Sequence, residues 1–270
     1  MRTANICLVN QKGGCGKSSC CFHLAGGLAE TGSRVLLVDA DPQGSLSQAF
    51  FGSAAVEGLA PQETLAGLFD DDACPAAAEH LPIASPFAGV FLIPSNHALA
   101  PHNTPVPEKT GLKQQVLRAF LDELEGYDVV LIDCPPNLYQ CSWNALLAAD
   151  YVLVPVPPED FGAQGLRVVH QAIAGARRLN PRLELLGHLV SRSDKRLLVH
   201  QAYEKNLRTH YGATVMATVI PEASAFKLAL TLRQPVTVYA PRSKAAAAVR
   251  ALVDEIRLRM TRAAAERSAA

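Results

Sequence analysis

The segment Lys12-Gly13-Gly14-Cys15-Gly16-Lys17-Ser18-Ser19 constrains the fold of this chain more than any other. It follows the apolar run Ile6-Cys7-Leu8-Val9 and precedes a helical pattern in which Phe22, Leu24, Ala25 and Leu28 are apolar. Strand, glycine-rich turn and helix, in that order, make a phosphate-binding loop. The glycines let backbone N–H groups approach phosphate oxygens closely, and the positive end of the following helix adds to the attraction. In such a loop Lys17 reaches the β- and γ-phosphates and the Ser18 hydroxyl takes Mg²⁺. The ordinary pattern G-x-x-x-x-G-K-[ST] needs glycine where this chain has Gln11. The match is to a variant with a second lysine, Lys12, early in the loop.

Two later apolar runs end in acids. Val35-Leu36-Leu37-Val38 leads into Asp39-Ala40-Asp41-Pro42-Gln43-Gly44, and Val129-Val130-Leu131-Ile132 leads into Asp133-Cys134-Pro135-Pro136. Continuous apolar runs of this length suit strands buried on both faces. Ligands of open α/β sheets sit beyond the carboxyl ends of the strands. Asp39 and Asp41 there can serve the Mg²⁺ shell or an attacking water. Asp133 has the Walker-B arrangement and would hold Mg²⁺ through a bound water.

The remaining pattern alternates. Helices are expected at 17–31, near 64–69, at 111–124, 141–148, 163–179, 197–210 and 223–231, with a final helix marked by Val249, Leu252, Val253, Ile256 and Met260. Strands are expected at 90–93, 151–156, 184–190, 214–220 and 236–239. Prolines at 75, 82, 86, 94, 101, 105 and 107 predict irregular surface structure across 52–110. The sum is an α/β chain of P-loop NTPase type, with a mostly parallel sheet and helices on both faces. Residues 1–260 read as one domain, and 261–270, Ala-rich and without large apolar groups, are expected to be a frayed, disordered tail.

Composition narrows the class. No apolar run reaches the roughly 18 residues of a membrane-spanning helix. Seven cysteines, at 7, 15, 20, 21, 74, 134 and 141, form no C-x-x-C pair, which predicts reduced thiols and a cytoplasmic location. The first strand begins almost at the first residue, so neither a signal peptide nor an upstream DNA-binding domain is expected. Net charge is zero, yet residues 161–270 hold 18 Lys+Arg against 7 Asp+Glu, and residues 1–160 the reverse. Such a split points to a polyanion partner on one side, or else to charges that folding mixes again.

Taken together these motifs resemble the ParA/MinD family of deviant-Walker ATPases over about residues 4–260. Further carriers are Glu159 before Gly165-Leu166, Val219-Ile220-Pro221, and Pro235-Val236 followed by Tyr239-Ala240-Pro241-Arg242-Ser243. These favour the compact ParA/Soj branch. The resemblance implies a weak, partner-stimulated ATPase with ATP and Mg²⁺ as cofactors. ATP would promote a sandwich homodimer that binds DNA without sequence preference. A ParB-type partner would stimulate hydrolysis, so that plasmid or chromosomal DNA is segregated on the nucleoid. Lys12 is then similar to the signature lysine that reaches the partner subunit's phosphates. Asp41 orients the attacking water, while Ser18, Asp39 and Asp133 surround Mg²⁺. The phosphates lie on Gly13, Gly14, Cys15, Gly16, Lys17, Ser18 and Ser19. Glu159 contacts nucleotide or partner, and Ser191-Arg192 and Pro241-Arg242 flank adenine. DNA candidates are Arg192, Lys195, Arg196, Lys227, Arg242 and Lys244.

The chain departs from the family pattern in two places. After Ile220-Pro221 relatives usually carry an arginine-containing segment, whereas this chain reads Glu222-Ala223-Ser224-Ala225-Phe226-Lys227, so its DNA surface is expected to be shifted or weaker. Its proline-rich 94–107 segment replaces a more helical stretch. Within the same fold the alternative is a positioner of a protein cargo on the nucleoid. A MinD-like membrane-associated division regulator would end in an amphipathic membrane-seeking helix, and the last large apolar residue here is Met260. An iron–sulfur relative would need paired cysteine ligands.

Overall fold

A computed structural model of the chain describes residues 3–70, 81, 83–158 and 163–269. Its centre is a seven-stranded sheet of order β3-β4-β2-β5-β1-β6-β7. The strands are β1 (Ala4–Leu8), β2 (Val35–Asp39), β3 (Ile83–Ala84), β4 (Val90–Ile93), β5 (Val129–Asp133), β6 (Tyr151–Val156) and β7 (Glu184–Val190). Every pairing is parallel except β3 with β4.

The apolar runs are continuous because both faces of each strand are covered. Ile6, Leu8, Val35, Leu37, Val129 and Leu131 pack into one core, and Cys7, Val9, Leu36, Val38, Val130 and Ile132 into the other. Alternate side chains of a strand point to opposite faces, so one run feeds two cores. The first core holds α1 (Lys17–Glu30), α2 (Ser45–Phe51), α8 (Ser224–Thr231), α9 (Val236–Tyr239) and α10 (Lys244–Ala269). The second holds α4 (Val116–Glu123), α5 (Gln140–Ala148), α6 (Ala163–Ala176) and α7 (Leu198–Tyr211). The short helix α3 (Ser53–Glu57) follows α2. Helix α1 is drawn close to its neighbours by glycine. A Cβ on Gly26 would stand 2.2 Å from Pro235 Cβ, and one on Gly27 would stand 2.9 Å from Val249.

Four expectations need correction. The run 236–239 is not a strand but the short helix α9, entered from Pro235 in extended conformation. Residues 214–220 form no strand, only an isolated bridge from Val215 to His188 and a neighbouring one from Pro221 to Ser193. The first part of 111–124 is a 3₁₀ turn, and α4 begins at Val116. The tail expected to fray beyond residue 260 instead continues α10 to Ala269. Alanine is the strongest helix former, and Arg267 anchors the end by donating to Tyr151 Oη at 2.6 Å and pairing with Glu184 at 3.3 Å. The proline-rich region is irregular, built of short 3₁₀ turns at His97–His102 and Pro107–Lys109. Six of the cysteines are buried free thiols, and Cys74 lies outside the described residues, as does Glu159.

Candidate nucleotide site

The parallel order brings three loop starts together at one end of the sheet. The phosphate loop leaves β1, Asp133 closes β5 beside it, and Asp39 closes β2, the next strand, in register with Asp133. Gly14 and Gly16 have φ of 73° and 88°, which other residues rarely adopt. A Cβ at Gly13 or Gly16 would meet no atom within 4 Å. The loop is therefore bent around open space.

Two residues that sequence reading passed over brace the site, and the first of them holds this loop. Asn10 Oδ1 accepts from Lys12 N at 3.0 Å while its Nδ2 donates to Pro155 O at 2.7 Å. Its carbonyl accepts from Lys17 Nζ at 3.1 Å, and Lys12 O accepts more distantly at 3.4 Å. Lys17 is buried, with its ammonium on carbonyls and at ion-pair distance from no carboxylate among the described residues. Ser47 is the second. Its N and Oγ donate to Asp39 Oδ2 at 2.8 and 2.7 Å, and its Oγ accepts from Ser95 N at 2.9 Å. Ser47 lies eight residues from Asp39 and Asn10 lies far from Pro155, so no motif spacing exposes either link.

The two carboxylates among the metal candidates differ. Asp39 is saturated by Ser47 and, at Oδ1, by Asp41 N at 3.2 Å. Asp133 is fully buried, and neither of its oxygens makes a hydrogen bond. Burial, then the charge of Asp39, drives the Asp133 carboxyl well above the usual carboxylate range, while Ser18 and Lys17 oppose the shift. Burial also lifts Asp39, to about 7, against the bonds from Ser47. A buried carboxylate with unsatisfied oxygens calls for a cation. With Ser18 beside it, Asp133 fits Mg²⁺ held largely through water, since Mg²⁺ keeps much of its hydration shell.

A cavity of about 410 Å³ opens over the loop. Gly13, Gly14, Gly16, Lys17, Ser18, Ser19 and Asp41 form its polar wall, and Leu24, Phe226, Leu230, Val249 and Leu252 its apolar end. Asp41 is fixed by accepting from Gln43 N at 2.9 Å. Ser191 and Arg192 are brought to the loop itself. Ser191 Oγ donates to Cys15 O and Arg192 Nη1 to Gly14 O, each at 2.8 Å. Pro241 and Arg242, expected near adenine, are exposed and do not line the cavity, and Pro241 O accepts from Arg250 Nη1 at 2.7 Å. Burial raises the Cys15, Cys20 and Cys134 thiols, Cys20 to about 12, so these side chains pack rather than react. Among the described residues no helix is long and apolar enough to cross a membrane.

The DNA candidates fall into two sets. Arg192 and Lys227 both pair with Glu222, and Arg196 pairs with Asp194. Lys195, Arg242 and Lys244 are exposed.

A family model described as an AAA domain matches residues 3–185. The chromosome-partitioning ATPase Soj of Thermus thermophilus is 37% identical over 97% of this chain and 98% of its own length. The chromosome partitioning protein ParA of Caulobacter vibrioides is 33% identical over 87% of this chain and 86% of its own. Among solved structures, cobyrinic acid a,c-diamide synthase from Mycobacterium smegmatis with a bound ATP analogue and magnesium superposes with a TM-score of 0.77. It is 30% identical over 94% of this chain and 93% of that one.

Proposed function

This chain belongs to the ParA/MinD family of deviant-Walker ATPases, on its Soj/ParA side, and from that premise we propose a full working cycle. The chain binds ATP with Mg²⁺ and pairs with a second copy across the nucleotides. The pair binds DNA without sequence preference, and a ParB-type partner accelerates an otherwise slow hydrolysis that releases it. The cargo of that cycle is plasmid or chromosomal DNA, and its place is the nucleoid.

The observation that carries the reading is the wall of the cavity, where Lys17, Ser18 and Asp41 converge in front of the buried, unsatisfied Asp133. Lys17 is held by backbone carbonyls in position for the terminal phosphates. Ser18 and Asp133 would hold Mg²⁺, with Asp39 bracing the site through Ser47, and the ion would supply neutralisation of phosphate charge. Asp41, fixed by Gln43 N, faces the cavity and orients the water that attacks. Lys12, leaving the loop at its start, supplies a cation to the partner subunit's nucleotide, as an arginine finger does. Glu159 belongs to the same proposed interface by resemblance alone.

The test is a DNA titration with ATP, ADP and no nucleotide at several salt concentrations. Binding confined to the ATP state, falling steeply with salt and indifferent to sequence, is expected. Salt-insensitive or sequence-selective binding overturns the phosphate-only reading, and binding to anionic vesicles in place of DNA returns the chain to the membrane-acting alternative.

A further inference from the structure

Glu222 engages two of the six candidate DNA cations at once. Its Oε2 accepts from Arg192 Nε at 3.1 Å, and its Oε1 faces Lys227 Nζ at 2.7 Å. Lys227 first, and Arg192 with it, hold the Glu222 carboxyl below its usual range, so at neutral pH the acid is a charged partner to both. The contact is built into the backbone. Glu222 N donates to Ser193 O at 2.9 Å and Ser193 N to Ile220 O at 3.0 Å, which fastens the segment after Pro221 to the loop after β7. Arg192 itself sits at φ 55°, in a region that non-glycine residues seldom occupy. Its guanidinium spans two structures: Nε meets Glu222 and Nη1 meets the phosphate-loop carbonyl of Gly14. Arg192, Glu222 and Lys227 all line the nucleotide cavity.

We propose that Glu222 is a built-in competitor of DNA phosphate, which Arg192 and Lys227 must exchange for a phosphate oxygen before this surface can bind a polyanion. The inference rests on the DNA-binding reading above. The exchange is feasible because exposed ion pairs contribute little stability, whereas each phosphate contact releases a condensed counterion. One arm of Arg192 lies on the phosphate loop, so the exchange is coupled to the state of the nucleotide site through a single side chain. The partner is a phosphodiester backbone, and the acid sets how much of it the nucleotide-free chain takes up.

Glu222→Gln in the full chain tests this, with anisotropy of a labelled random-sequence duplex as readout, with ATP, ADP and no nucleotide. Glutamine keeps the shape and removes the charge. Losing two exposed pairs as competitors should tighten nucleotide-free binding by roughly two- to thirtyfold. The salt dependence should steepen by about one to two in log–log slope. Glu123→Gln makes the same charge change on α4, which packs on the opposite face of the sheet, and should leave affinity unchanged. Adding Arg192→Ala to Glu222→Gln should remove most of the gain. If the unaltered chain binds DNA with ATP while Glu222→Gln shows the same affinity and slope without nucleotide, the competitor role is overturned and the DNA reading stands. If only Glu222→Gln binds, the competitor role is upheld and the ATP-driven cycle falls. If neither binds in any state, both fall, as the competitor role does if Glu123→Gln gains as much.

Discussion

Asp39 and Asp133 are register partners at the carboxyl ends of adjacent parallel strands, both fully buried, and one is saturated with hydrogen bonds while the other has none. The pair divides its labour. Asp39 ties β2 to α2 through Ser47, and neither oxygen of Asp133 is committed to a hydrogen bond.

Asp133→Asn should therefore cost the nucleotide-free fold little, since it removes a charge that burial disfavours. It should abolish the extra thermal stabilisation that Mg²⁺ gives over ATP alone. For the unaltered chain that stabilisation would be about 2.7 kcal/mol at a hundredfold excess of ligand over its dissociation constant. Differential scanning fluorimetry with ATP, with and without Mg²⁺, measures it. A Mg²⁺-dependent shift surviving in the variant would take the cation away from Asp133.

Acid stability should depend on His23. Burial lowers its pKa from 6.5 to about 3, and its Nδ1 accepts from Val236 N at 3.1 Å. The folded state thus binds fewer protons than the unfolded state between pH 3 and 6.5, and stability is lost as pH falls through that window. His188, lowered to about 4 by burial and by His170, acts in the same direction. The raised carboxyls of Asp39 and Asp133 act oppositely, Asp39 removing stability as pH rises from about 4 towards 7. His23→Asn preserves an acceptor for Val236 N. Relative to the unaltered chain it should gain stability progressively below pH 6.5, as read from urea midpoints at pH 4.5, 5.5 and 7. A constant difference across those points would show that His23 does not titrate on unfolding.

Lys12→Ala should leave ATP affinity within a few-fold while removing ATP-dependent self-association and, with it, DNA binding. Light scattering and the DNA titration are the measurements. An ATP dimer of unaltered affinity would deny Lys12 its place opposite the partner's phosphates.

On the proposed reading that Asp41 orients the attacking water, Asp41→Ala should slow hydrolysis by about 10²–10⁴-fold, the usual scale for a positioned acid or base, and accumulate the ATP-bound dimer. Turnover measured by phosphate release decides it; a rate equal to the unaltered chain assigns the water to another group.

Gly26→Ala should destabilise the fold by about 1–3 kcal/mol through overpacking, because the new Cβ collides with Pro235. Gly13→Ala meets only open space, so its cost should appear in nucleotide affinity and not in the denaturant midpoint.

Much of the fold was legible because each strand writes its burial into consecutive residues. Val35 to Asp39 and Val129 to Asp133 are apolar on both faces and end in an acid, and nothing but a central parallel strand suits them. The same logic misled at Val236-Thr237-Val238, where a β-branched run too short to show a period is a helical turn against α1. Val215 and Val219-Ile220 failed alike, their strand reduced to two bridges. Within the site, Lys17, Ser18, Asp39, Asp41 and Asp133 were found by spacing from glycine or from a strand end. Asn10, Ser47 and the Arg192–Gly14 contact were not, because no motif spacing ties them to their partners: Pro155 and Ser95 lie far along the chain from Asn10 and Ser47, and Gly14 lies 178 positions from Arg192.

Helix α10 gives the order of synthesis a consequence. It covers α1 through Val249 and Val253 and stitches the far ends of the strands, Arg250 to Glu30, Arg257 to Thr31 and Ser33, and Arg267 to Glu184. The cover for the helix behind the phosphate loop is thus made far later in the chain, Arg250 standing 220 positions after Glu30. At about 5–20 residues per second, the apolar side of α1 waits on the order of ten seconds or more for its partner. A nascent chain therefore carries the apolar face of α1 uncovered until α10 has been made. Synthesis of α10, whose Val249 and Leu252 line the cavity, is therefore the step that completes the cavity's lining.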